Sequence, residues 1–543
     1  MTTARPFDPS SVVDQLLSGH LPTHPRDRPV RPLTTEELAF LEDIRTWCDS
    51  TDLAAEIESS QQIPTHMLDD LGRLGAFRII IPEQHGGLGF SDDCLLAVLA
   101  VLTSAHSTLC EVVAAHQVIG AVRPLLVFGT DEQQAQYLPE LTGQVSAFAL
   151  NESALGYGTE PLTTTAHYDP VLDCYLVTGS KTWITNAPIA SHVVVLVDLM
   201  PTQLSGGGVT ALLVKASDDG VARGPGSSFA GLRGLPNGQL NFDDARIPAD
   251  RLIGTEGAGF DVALTCLSKS RAALPVVCLA TMTTCLADAA AWVREDRQTR
   301  RGLHTNPQIQ RHLARLMTLG LIANAVTWFV LDPHCADTDA EAAKLILSES
   351  AAEATDILLQ LVGGRGYETA ESARRRRAPA SRAERLWRDT RVTRIFDGST
   401  EMLKDMMAQP FSGTPPLEHT TCAPSDEQMT ILAVQAAHLR DIVRRHDDQW
   451  VRAAALDCVL DMFTFYCVRR FQQELGETEQ PITGVWEVTT ETLTQRIALG
   501  LESAANSDRL AKIARLATEL TSRTAAHHSP ALRRPLAELG VHR

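Results

Sequence analysis

The sequence predicts a mainly helical α+β protein: a helical block, a block of strands, a second helical block and an extra helical domain at the end. Three observations carry that expectation. Apolar residues recur at helical spacing to about residue 145; residues 146–255 break into short Val-, Thr- and Leu-rich runs parted by Gly, Asn, Asp and Pro; helical spacing then returns, and resumes beyond a Pro- and Gly-rich interruption. At 543 residues the chain is too long for one compact core, so several domains are expected.

Residues 1–33, rich in proline and polar side chains, read as a flexible lead-in. The N-terminal helical domain, 34–145, opens on Thr34-Thr35-Glu36-Glu37, a capping residue and early acids placed before Leu38, Phe40, Leu41 and Ile44. Within the β domain, 146–255, the runs SAFALNE, CYLVTGSKTWIT, SHVVVLVDL, GVTALLVKA and GQLNFDDARIP read as consecutive strands. A helical bundle follows over 256–412. Gly413, Pro415 and Pro416 mark a linker, 413–424, and 425–543 form the extra helical domain, with an apolar stripe at Ile431, Leu432, Val434 and Leu439.

Charge and cysteine usage narrow the function. With 48 Lys+Arg against 66 Asp+Glu the net charge is −18, a field that disfavours general nucleic-acid binding. The eleven cysteines are scattered singly without C-x-x-C spacing, which favours buried reduced thiols over a metal site or disulfides. The start lacks a basic region leading into an apolar core, and no apolar run approaches the ~18 residues that span a bilayer, so a cytoplasmic protein with no membrane span is expected. The arginines at 374–377 read as a solvated loop in preference to a docking site for an acidic carrier protein or a nucleotide phosphate.

Three segments carry chemistry. Lys181-Thr182-Trp183-Ile184-Thr185-Asn186 closes a strand, where alternation places Trp183 and Thr185 on one face; an indole and a hydroxyl so placed suit the wall of a flavin ring, although taken alone a core tryptophan is the more ordinary reading. Gln360-Leu361-Val362-Gly363-Gly364-Arg365-Gly366-Tyr367 ends a helical run, where glycines allow close approach to a phosphate but also simply stop helices. In Arg394-Ile395-Phe396-Asp397-Gly398-Ser399-Thr400-Glu401, a carboxylate beside an aromatic suits a partly buried base; Asp397 or Ser399 as a helix cap is the plainer alternative.

Taken together and in this order, these segments resemble the acyl-CoA dehydrogenase family over about residues 35–410. IPEQHGGLGFS, KTWITN, LRGLPNGQLNFDDARIPADRLIG, GFDVALTCLSKSR, QLVGGRGY and RDTRVTRIFDGSTEM each resemble a segment of that family. The resemblance implies an FAD flavoprotein with a β-barrel-like middle domain, assembled as a homodimer or homotetramer, and the extra C-terminal block resembles the very-long-chain branch. It further implies that Trp183 and Thr185 line the flavin, that Gln360, Gly363 and Gly364 contact the FAD of a neighbouring subunit and Ser399 its diphosphate, with Glu401 beside it. Asp397 takes the base position, and Arg271 follows the helix position that carries the base in some branches. The implied reaction removes the α-proton of a thioester while the β-hydrogen leaves as hydride.

Several positions depart from the family pattern. Asp397 stands where Glu is usual, one methylene shorter, and Ser270 precedes Arg271 where some branches have the carboxylate. In Asn151-Glu152-Ser153-Ala154-Leu155-Gly156-Tyr157-Gly158, Asn151 replaces a flavin-contacting hydroxyl and Tyr157-Gly158 replaces a Ser-Asp pair. Arg297 lies in a segment one residue longer than the family's diphosphate-binding pattern. Two readings of the function therefore compete: dehydrogenation of an acyl-CoA or acyl-carrier-protein thioester with electrons passed to an electron-transfer flavoprotein, or decarboxylation, dehydrogenation and monooxygenation of a β-keto acid with O2 to form an epoxyketone in natural-product biosynthesis.

Overall fold

The computed structural model describes residues 8, 10–20, 32–50, 52–153, 161–202, 206–294, 303–332, 334–408, 427–445, 449–475 and 483–505. The chain divides into two compact units. One comprises 26–403 with 467–489; the other comprises 4–25, 404–466 and 490–543.

Helix α1 (Val12–Leu17) belongs to the second unit and buries Val12, Val13, Leu16 and Leu17. This corrects the flexible lead-in expected for residues 1–33: between its prolines lies one helical turn and a half with a continuous apolar face, capped by Ser11, whose hydroxyl accepts from Asp14 N.

The first unit begins with α2 (Thr35–Ser50), α3 (Leu53–Ser60), α4 (Thr65–Leu74), α5 (Asp92–Ala105), α6 (Ser107–Gln117), α7 (Val122–Phe128) and α8 (Asp131–Leu141). Thr34 and Glu37 exchange reciprocal side-chain to backbone bonds of 2.8 and 3.2 Å at the head of α2, which buries Phe40, Leu41 and Ile44 and leaves Leu38 exposed.

Eight strands follow: β1 (Ser146–Ala149), β2 (Thr165–Asp169), β3 (Cys174–Thr185), β4 (His192–Leu199), β5 (Gly208–Lys215), β6 (Val221–Gly226), β7 (Asn237–Pro248) and β8 (Leu252–Ile253). They form one mixed sheet in the order β6-β7-β3-β2-β4-β5-β8, with β1 paired parallel to β4. Val193, Val195, Val197, Leu212, Leu240, Phe242 and Ile247 are buried in its core, the alternation that β-branched and aromatic side chains favour on a pleated face.

The bundle that completes this unit contains α9 (Gly259–Arg294), α10 (Pro307–Val330), α11 (Asp337–Val362), α12 (Gly364–Tyr367), α13 (Ala370–Arg375) and α14 (Ala383–Thr390), and leads into α15 (Thr400–Ala408). The sequence expectation about membrane spans needs correction: Ser107–Phe128, Gly259–Arg294 and Pro307–Val330 are each long and apolar enough to cross a bilayer by length and composition. Their apolar windows are 61%, 50% and 61% buried inside the protein, so core packing accounts for much of that hydropathy.

Three helices complete the described chain: α16 (Glu427–Arg445), α17 (Gln449–Leu475) and α18 (Thr483–Ala505). The expected linker 413–424 lies outside the described residues. The expected apolar stripe also shifts: Leu432 and Leu439 are buried together with Met429 and Ala436, whereas Ile431 and Val434 face outward, because burial follows the three-to-four-residue spacing of one helix face. Residues 467–489 group with the first unit instead of the extra helical domain expected over 425–543. An aromatic series within the first unit explains this: Phe471 lies 5.6 Å from Trp328 and 6.1 Å from Trp486, centroid to centroid.

Candidate active site

Two long helices and one tight turn build the centre of the site. Asp397 and Gly398 both adopt the left-handed region, with φ of 54° and 98°. For an aspartate this is a costly conformation, retained where surrounding contacts impose it. Three contacts do so. Ser270 Oγ on α9 donates to Asp397 Oδ2 at 2.5 Å, Arg271 Nε donates to Asp397 O at 3.0 Å, and Lys344 Nζ on α11 donates to Gly398 O at 2.6 Å. Arg271 is itself held by Glu341 at 2.5 Å, so α9 and α11 are tied to each other and to the turn.

Burial raises the Asp397 pKa above the usual aspartate value, opposed by the Ser270 hydrogen bond and by the charges of Arg271 and Lys344. Burial lowers Lys344 to about 8, against the pull of the Asp397 charge. A second acid, Glu111 on α6, is pushed up to about 8 by burial and then by the charges of Asp397 and Asp389. Sequence reasoning missed Glu111 and Lys344. Each is a lone charge inside an apolar helical run, in Leu109-Cys110-Glu111-Val112-Val113 and Ala342-Ala343-Lys344-Leu345-Ile346, and that isolation was the available signal.

At the sheet, β3 carries a bulge between Lys181 and Ile184, where Trp183 takes φ of 56°. The bulge breaks simple alternation, so Trp183 is 54% exposed while Ile184 is buried and Thr185 is partly so, accepting from Asn237 Nδ2 at 3.3 Å. Asn151 lies beside this segment, its carbonyl accepting from Thr182 N at 2.9 Å. Beneath it, Lys181 and Glu152 form a fully buried ion pair at 2.7 Å, and Glu152 also accepts from Thr163 and Thr164, which anchors the chain entering the bulge.

The remaining residues divide. Ser399 is a helix cap, its hydroxyl accepting from Met402 N at 3.2 Å, and Glu401 is exposed in the first turn of α15. Gln360, Gly363 and Gly364 are exposed at the far end of α11, about 24 Å along the helix from Lys344 at 1.5 Å per residue. The structure therefore does not bring them to Asp397 within one chain. Arg271 touches the backbone of Asp397, not its carboxyl, which makes it a positioning residue. Tyr157 and Arg297 lie outside the described residues.

Helices, a mixed sheet and a helical bundle converging on an acid-bearing turn define the scaffold class of acyl-CoA dehydrogenases, and comparison agrees. The N-terminal, middle and C-terminal domain models of acyl-CoA dehydrogenase match residues 34–144, 147–245 and 257–411. A probable acyl-CoA dehydrogenase of Mycobacterium tuberculosis is 34% identical over 416 residues, covering 74% of this chain and 63% of its own length. The chain thus spans about three fifths of that relative. An acyl-CoA dehydrogenase from Bacillus anthracis, solved with FAD, superposes with TM-score 0.74 over 93% of each chain at 19% identity. A prolyl acyl carrier protein oxidase superposes with TM-score 0.63 over 70% of this chain and 100% of its own, at 21% identity. The chain belongs to the acyl-CoA dehydrogenase family, whose members are FAD enzymes.

The residues at β3 fit that cofactor. An exposed indole stands ready to cover a flat ring, and Thr182 Oγ1 and Asn237 Oδ1 are buried with no protein partner among the described residues. Polar atoms so placed call for a ligand or a water to satisfy them.

Proposed function

We infer that this chain is an FAD-dependent oxidoreductase that removes hydrogen from the α and β carbons of an acyl thioester. The observation that carries this reading is the strained Asp397–Gly398 turn, locked from three sides by Ser270, Arg271 and Lys344. A carboxylate raised above its usual pKa and fixed by a hydrogen bond suits abstraction of a weakly acidic α-proton. Asp397 takes that proton. Bound FAD would supply the hydride acceptor for the β-hydrogen.

The chain's own residues supply orientation. Trp183 would stack on the flavin, Thr185 and Asn237 would offer it polar atoms, and the buried Lys181–Glu152 pair fixes the strand that bears Trp183 and Thr185. Gln360, Gly363 and Gly364 would serve the FAD of a second copy of the chain, as the family resemblance implies, and their exposure at the far end of α11 is compatible with that role. The functional unit proposed is at least a homodimer.

Anaerobic mixing of the FAD-loaded protein with a panel of acyl-CoA and acyl-pantetheine thioesters tests the reading. Stoichiometric bleaching of the flavin by at least one thioester is expected. No bleaching by any member of the panel contradicts it.

A further inference from the structure

A cavity of about 1220 Å³ lies within the first unit, on the face of α9 turned away from Asp397. Val276, Leu279, Ala280 and Thr283 line it. At about 100° per residue they fall on the side of the helix opposite Ser270 and Arg271, which reach the Asp397 turn. Ala97, Ala100 and Val101 of α5 form the facing wall, so small and apolar side chains leave the space open between the two helices. One end is bounded by Arg365, stacked over Trp292 at 4.9 Å. Gln360, Gly363 and Gly364 are not among its lining residues, which separates the cavity from the segment assigned to a second copy's FAD.

Arg385 on α14 supplies the polar end. It lines the cavity and is only 6% exposed, yet its guanidinium makes one hydrogen bond among the described residues, from Nη1 to Ala105 O at 3.0 Å, and no ion pair. Its Nε and Nη2 are not sealed against protein and open onto the cavity. These two donors form the edge of the guanidinium that takes a carboxylate in parallel. The neighbouring charges are already matched to one another. Arg382 holds Asp288 at 2.7 and 2.8 Å, Arg374 holds Asp52 at 3.0 Å, and Arg388 holds Glu58, Glu384 and Asp389. Glu58 is taken a second time, by His106 at 3.2 Å. A buried guanidinium left with open donors is expensive until an acceptor arrives. With Glu58, Glu384 and Asp389 close by, the place suits a single negative charge and repels a phosphate dianion.

We propose that this cavity is a second binding site, which takes an amphipathic monocarboxylate such as a medium-chain carboxylic acid. The carboxylate accepts from Nε and Nη2 of Arg385, and the hydrocarbon tail lies between Ala97, Ala100 and Val101 on one side and Val276, Leu279 and Ala280 on the other. The tail covers apolar walls that are otherwise wet, and the head satisfies the open donors. The site stands apart from Asp397 and does not depend on the thioester reading.

The test is calorimetric titration of the FAD-loaded full chain with decanoate and with decan-1-ol, which share a tail and differ in the charge of the head. Decanoate is expected to bind saturably and about tenfold or more tightly than the alcohol, the scale of a charge-assisted bidentate pair. Arg385→Met removes that preference and leaves the affinity for decan-1-ol within about threefold of wild type, since the apolar walls are untouched. Ala100→Trp fills the space between α5 and α9 and weakens both ligands about tenfold or more. Thermal melting shows whether each variant is folded, and should Arg385→Met fail to fold, Ala100→Trp decides alone. The proposal is overturned by absence of saturable decanoate binding to the wild type. It is overturned equally by an unchanged decanoate-to-decanol ratio in folded Arg385→Met, or by wild-type decanoate affinity in Ala100→Trp.

Discussion

Ser270 Oγ donates a hydrogen bond to Asp397 Oδ2 at 2.5 Å, joining the helix after the sheet to an acid 127 residues later in the chain. Ser270 holds no charge of its own. Its contribution is to fix one carboxyl oxygen of the shorter acid and leave the other for the substrate, which is the positioning a proton transfer needs.

Ser270→Ala therefore leaves Asp397 with burial but without its stabilising donor, and the pKa of the acid moves further up. Because the base works only when ionised, the midpoint of the rising limb in a pH profile of flavin reduction moves to higher pH, and the reaction slows on the acid side. Single-turnover rates across pH measure this. A midpoint that stays put or moves down removes Ser270 from the account.

The buried Lys181–Glu152 pair makes a stability prediction. Lys181→Met strands a carboxylate that is 1% exposed and should cost on the order of 3–5 kcal/mol. Burial works against the charged Lys181 as well, lowering its pKa, so the double change Lys181→Met with Glu152→Gln is expected to recover much of the loss. Denaturant midpoints of the three variants check this.

The same pair sets an acid limit. Burial opposes the charge on Glu152, but bonds from Lys181 and Thr163 prevail and hold its pKa at about 2, below the ordinary 4.5. A depressed carboxylate contributes stability above the unfolded value and loses it as pH falls through the folded one, so about 3 kcal/mol disappears between about pH 4.5 and 2. A melting curve for Glu152→Gln should be flatter across that window than the wild-type curve.

Trp183→Ala removes the exposed ring at the bulge of β3. FAD affinity is expected to fall about tenfold, the scale of one aromatic stacking contact, with little change in melting temperature of the apoprotein because the indole is 54% exposed. Equilibrium dialysis against FAD, with thermal melting of the apoprotein beside it, separates the two effects.

Much of this was legible in the sequence, for identifiable reasons. Short β-branched runs bounded by turn residues marked strands such as His192–Leu199, and the Thr34–Glu37 pair announced the start of its helix. Trp183, Thr185 and Asp397 stood out as candidates because they lie in motifs whose order is distinctive. The bulge that turns Trp183 outward was hidden, since it depends on the register between β3 and β7 and not on β3 alone. Glu111, Lys344 and Ser270 were passed over as participants because each acquires its role from residues remote in sequence. Phe471 and Trp486 were assigned to the wrong unit because helical spacing shows that a face is apolar without showing which core it enters.

The most direct test of the central claim is the rate of flavin reduction in a single anaerobic turnover, comparing wild type with Asp397→Asn on whichever thioester bleaches the wild-type flavin. With FAD content and thioester binding matched, the amide is expected to slow reduction by about 10²–10⁴-fold, the contribution of a positioned general base. Reduction by Asp397→Asn within about threefold of wild type would contradict the account and place the base elsewhere.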